Sequence, residues 1–107
     1  MLDGLSARDA EFHANCRRIA SRAAYEISPG APIAVAASNA IRRVRGSVEQ
    51  AGMPFWTDTG LLAAVGIPGV VFGPRGEGMH GAEEYVELES VATCADVLRE
   101  LIRSWCA

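Results

Sequence analysis

The stretch FGPRGEGMHGAEEYV, Phe72 to Val86, concentrates residues that can do chemistry. His80 stands among glycines at 73, 76, 78 and 81, with Glu83 and Glu84 just behind it. An imidazole can exchange a proton near neutral pH or ligate a metal. Glycines let a loop take unusual dihedrals and bring its backbone close to a ligand. A carboxylate nearby can orient the ring, as carboxylates commonly do for metal-bound histidines. One histidine does not make a metal site, because zinc takes three or four protein ligands. Taken alone, a histidine is more often structural or simply exposed. Companions within the chain are few. His13 lies between Phe12 and Ala14 and reads as a surface residue. Asp58, in WTDT, is open to two roles, helix capping and metal binding, and capping is the commoner.

Other chemistries fit poorly. GPRGEG resembles a phosphate loop only superficially, since it lacks the Gly-Lys-Ser/Thr ending and no long helix follows directly. The dinucleotide fingerprint fails on spacing, and no G-x-S-x-G is present. No cysteine lies beside the glycine loop, so His80 has no evident nucleophile to serve. All ten basic residues are arginine and the formal net charge is −3, which argues against nucleic acid as the main partner. The cluster IRRVRG, with Arg42, Arg43 and Arg45, reads as a solvated helix face. Cys16, Cys94 and Cys106 lack metal-ligand spacing and read as reduced thiols, which with the absence of a signal-peptide pattern predicts a cytoplasmic protein. No apolar run reaches the roughly 18 residues of a membrane span.

The elements that must position these residues follow from periodicity. Phe12, Cys16, Ile19, Ala23 and Ile27 make an apolar stripe, so a first helix is predicted from a Ser6 cap, supported by Asp9, to the SPG break at 28–30. Cys16 and Cys94 then fall on apolar helix faces and serve packing. Ile33, Val35 and Ala37 alternate and predict a short strand. A second helix is expected from Ser38 or Asn39, closed by Gly52. An extended piece at 53–57, a short helix capped by Asp58, a strand over GVVF (69–72), the loop 73–83 and a last helix carrying Val91, Cys94, Leu98, Leu101 and Trp105 complete the order. The alternation from Ser38 onward predicts an α/β layer with parallel strands, whose carboxyl ends would carry both polar clusters.

The segment FWTDTGLLAAVGIPGVVFGPRGEGMHGAEEYVELESV resembles the C-terminal segment of the di-zinc amidohydrolases that include acetylornithine deacetylase, succinyl-diaminopimelate desuccinylase and aminoacylase. The matching residues are Thr57-Asp58, Gly66-Ile67-Pro68, Phe72-Gly73-Pro74, His80 and Glu84-Tyr85-Val86. The upstream LDGLSARDAEFHANCRRIASRAA is similar to the end of that family's lid or dimerisation domain. The resemblance implies a partial three-layer α/β/α catalytic domain over 38–107 and a lid helix–strand remnant over 1–37. It implies that His80 ligates one of two zinc ions, with cobalt as an alternative metal. Glu84 would be a second-shell residue or loop anchor, and Thr57 and Asp58 would shape the pocket floor. The implied reaction is metal-assisted hydrolysis of amides in N-acyl amino acids or peptide-like small molecules.

The departures define a second expectation. The family's His-x-Asp, bridging Asp and Glu-Glu pair with its general base have no counterpart here. Glu83-Glu84 is beside His80 rather than in the expected element, and Gly60 stands where some members carry arginine. The sequence therefore reads as roughly the last quarter of such an enzyme, inactive alone, with no catalytic residue of its own. It is expected to self-associate or to complement another chain through exposed sheet edges. The alternative is a non-catalytic α/β module that pairs with itself or a longer partner.

Overall fold

The structure is a computed structural model and describes residues 4–5 and 7–107. Two long helices organise it. Helix α1 (Pro32–Arg45) starts directly after the turn at Ser28, where the Ala31 amide donates to the Ser28 carbonyl at 2.9 Å and the Gly30 amide to Ser28 Oγ at 3.2 Å. Pro32 occupies the first helical turn, where its missing N–H costs nothing and its fixed φ suits the helix. Arg42, Arg43 and Arg45 fill the last turn, where cations complement the carbonyl end of the dipole. Gly46 ends the helix with φ +79°, its amide donating to the Arg42 carbonyl at 2.8 Å. A side chain there would pay the left-handed penalty.

Helix α1 packs on α3 (Leu88–Trp105). The buried residues of the two helices are small: Ala34, Ala37, Ser38 and Ala40 from α1 and Val97 from α3. Arg43 and Glu100 form a salt bridge between the helices, and the Gln50 amide donates to Ser38 Oγ at 2.9 Å. Between them lie the short helix α2 (Thr59–Ala64) and a two-stranded antiparallel sheet. Its strands are β1 (Gly76–Glu77) and β2 (Tyr85–Val86), with Gly76 opposite Val86 and Glu77 opposite Tyr85. The fold is thus mixed α/β.

Several expected elements are absent among the described residues, each for a physical reason. Residues 12–28 form no helix. The stripe has the right period, but Ile19 is 85% exposed and Cys16 and Ala23 are exposed too. Most helical stability in proteins comes from packing such a stripe, and here nothing packs on most of it. Ser6 lies outside the described residues. Asp9 instead makes a local turn, its carboxylate accepting from the Glu11 amide at 2.9 Å. Residues 33–37 are helical rather than a strand. A short apolar run is ambiguous by period alone, and here proline at the first turn and an alanine-rich interior decide it. The second helix consequently begins earlier than Ser38 and stops at Gly46 rather than Gly52.

Residues 53–57 and 69–72 are not strands, and no parallel pair occurs among the described residues. A strand exists through its ladder, and neither segment has a neighbour to pair with. The last helix is where the sequence places it, but its apolar stripe splits. Cys94 and Leu101 turn toward α1, whereas Val91, Leu98 and Trp105 remain exposed.

The result is an open molecule. Its accessible surface is 8956 Å², against about 5,700 Å² for a compact monomer of this mass. Its radius of gyration is 20.0 Å, against roughly 13 Å for a compact chain of this length. No helix among the described residues is long and apolar enough to cross a membrane.

With so small a core, its centre dominates stability. Replacing Val97, 1% exposed, with alanine removes two methyl groups at the helix junction. The expected loss is about 2 kcal/mol, read as a lower urea midpoint of the helical circular-dichroism signal. An unchanged midpoint would show that α1 and α3 do not depend on this contact.

Candidate functional site

The loop that carries His80 is the tip of the β1–β2 hairpin, residues 78–84. Its base is fastened to the start of α3. Ser90 Oγ accepts from the Arg75 amide at 2.9 Å, and the Glu87 amide donates to the Arg75 carbonyl at 2.9 Å. Arg75 Nη2 meets Glu87 Oε2 at 2.7 Å. That hydrogen bond and the charge of Glu87 hold the Arg75 guanidinium above its ordinary pKa. Arg75, Glu87 and Ser90 were not foreseen as site residues. Their spacing of 12 and 15 along the chain carries no recognisable motif.

The tip itself is a four-residue turn, with the Gly81 amide donating to the Gly78 carbonyl at 2.7 Å. His80 is its third residue and has φ +61°, the only non-glycine residue with positive φ among those described. A positive φ at that place marks a type II turn, and glycine normally fills it. A histidine there carries a backbone cost that glycine would not. The His80 amide donates to Glu84 Oε2 at 3.3 Å, so Glu84 ties the strained backbone down. His80 is exposed. Gly76 and Gly78 approach the opposite strand so closely that a Cβ would overlap the carbonyls of Tyr85 and Glu83.

Asp58 sits at the cap position of α2, and its backbone carbonyl accepts from Leu61 and Leu62 at 2.9 and 3.1 Å, while its side chain makes no capping hydrogen bond. Thr57 lines a cleft of about 730 Å³ with Met53, Phe55, Trp56, Gly60 and Val71. His80 and Glu84 lie outside that lining. Gly60 is tight against Trp56, with a Cβ placed 3.2 Å from the indole nitrogen. An arginine there would have to displace the ring. The N-terminal arm crosses the same cleft. Tyr25 Oη donates to the Gly69 carbonyl and accepts from its amide, both at 3.2 Å, and the Arg22 guanidinium lies 5.7 Å from the centre of the Trp56 ring. Cys16 belongs to this arm and is exposed, so it packs no helix face.

A family model for peptidase family M20/M25/M40 matches residues 10–104. The chain belongs to this family. No curated protein and no solved structure gives a significant match. The family is one of metal-dependent peptidases and related hydrolases, so the donor set of this M20/M25/M40 chain can be tested against a metal. Among the described residues, no three His, Cys, Asp or Glu side chains gather where they could hold an ion together. A metal centre needs at least that many protein donors. The described residues do not fit a complete centre by themselves.

The strained turn predicts opposite effects for two substitutions. His80→Gly removes the left-handed penalty, about 1 kcal/mol, and should slow hydrogen exchange at the Gly81 amide. Gly78→Ala should break the turn and speed exchange at Gly81 and at the Glu87 amide. Faster exchange in His80→Gly would show that the turn does not strain position 80.

Proposed function

We propose that this chain supplies the histidine-bearing portion of a zinc-dependent amide hydrolase acting on N-acyl amino acids or small peptides, in the manner of acetylornithine deacetylase. His80 is its metal ligand, and Glu84 is the anchor that holds the ligand loop. Thr57 and Asp58 belong to the pocket wall and the start of α2. The remaining ligands and the general base come from residues outside this sequence, in the same polypeptide or in a complementing one. Residues 38–107 are then catalytic-domain material and 1–37 lid material.

The observation that carries this reading is the family match over 10–104 together with an exposed histidine held at positive φ. A loop whose only duty was to turn would place glycine at position 80. The reading also accounts for the isolation of the imidazole, since its co-ligands would lie elsewhere.

The test is reconstitution. The chain with added zinc should leave an N-acetyl amino acid intact. Mixing it with a polypeptide that carries the His-x-Asp and Glu-Glu elements should restore hydrolysis, and His80→Ala should lower that rate at least about 100-fold. Turnover by the chain alone, abolished by His80→Ala, would contradict the assignment of the base to other residues.

A further inference from the structure

The N-terminal arm reaches the cleft of Thr57 and Trp56 with no helix or strand of its own over 12–28. Residues 13–24 are exposed at every position. Burial then alternates: Tyr25 and Ile27 are half-buried, and Glu26 and Ser28 are exposed. The Tyr25 hydroxyl closes on a single residue far along the chain. It accepts from the Gly69 amide and donates to the Gly69 carbonyl, both at 3.2 Å. Three residues earlier, the Arg22 guanidinium lies 5.7 Å from the centre of the Trp56 ring. On the cleft side, Val70, Val71 and Phe72 make no backbone hydrogen bond among the described residues. Gly69 therefore has its amide and carbonyl satisfied by a side chain, in a stretch that has no ladder. Behind Tyr25, the turn at Ser28 contains Gly30 and separates the arm from the start of α1.

We propose that residues 12–27 are a strap across the cleft, pivoting at the Ser28 turn and latched by the Tyr25 hydroxyl on the Gly69 backbone. One hydroxyl serves both a donor and an acceptor, so a single group releases both bonds. Their loss is modest in energy, because water replaces them on each side. It breaks no helix and no strand, because the arm contains none. Arg22 reinforces the latch, since its charge rests over the Trp56 ring only while the arm lies along the cleft. Segments with few buried contacts open locally without global unfolding, and access to the cleft then follows the state of the latch. Neither His80 nor a metal takes part, so the inference stands or falls separately from the hydrolase reading.

Tyr25→Phe keeps the ring, removes the hydroxyl and so tests the latch. Trypsin reads it, with cutting after Arg17 and Arg18, upstream of the latch, as the internal reference. Cutting after Arg22 needs the residues that follow it, which the latch holds. Tyr25→Phe should raise the Arg22 rate relative to that reference about tenfold, as the open population rises. A second readout is acrylamide quenching of Trp56, made the sole tryptophan by Trp105→Phe. Quenching should increase in Tyr25→Phe and increase again when Arg22→Gln is added. The helical circular-dichroism signal and its urea midpoint should stay unchanged throughout. An unchanged cutting ratio or unchanged quenching in Tyr25→Phe would overturn the proposal. So would loss of the helical signal, because the arm would then be part of the core rather than a strap.

Discussion

Helix α3 is held in place by the lack of bulk on α1. The buried residues of α1 include only small side chains, Ala34, Ala37, Ser38 and Ala40, Val97 of α3 is almost fully buried, and the hairpin is anchored from α3 through Ser90 and Glu87. The position of His80 follows through a short series of contacts: the alanine face, Val97, the first turn of α3, Arg75, the two-residue ladder and the turn at 78–81. The steps are close packing, backbone hydrogen bonds and the side-chain contacts of Ser90 and Glu87 with Arg75, so the loop backbone at His80 is supported although the residue is exposed. Two strands alone are marginal in water. Here the helix start supplies what a third strand would.

The rest of the surface shows what that small core leaves uncovered. Phe55, Trp56, Leu61, Leu62, Val65 and Ile67 are all at least 41% exposed. The arm is pinned by Tyr25 and by Arg22, but it shields only part of the cleft. Patches of this extent are rare on monomers that work alone. The exposed apolar row of α3 and the cleft are separate features.

What the sequence revealed depended on whether a signal was local. The last helix, the short helix after Asp58 and the turn at Ser28 rest on caps, breakers and period, and they appear where those signals put them. The readings that failed needed a partner. Residues 12–27 have a helical period with little to pack on. The apolar runs at 53–57 and 69–72 have no strand beside them. Residues 33–37 satisfied both periods, and Pro32 was the deciding signal. At the candidate site, the glycine spacing correctly pointed to close backbone approach in the loop of His80. The positive φ at His80 and the Arg75–Glu87–Ser90 anchor were not legible, because both arise from the hairpin folding back onto α3.

The central proposal is that His80 of this M20/M25/M40 chain is one ligand of a metal whose other donors lie elsewhere. Calorimetric titration of the isolated chain with zinc, repeated on His80→Ala, tests it most directly. The account predicts weak binding of the single-imidazole kind that the substitution removes. Tight, stoichiometric binding by the chain alone, or binding that survives His80→Ala unchanged, would contradict it.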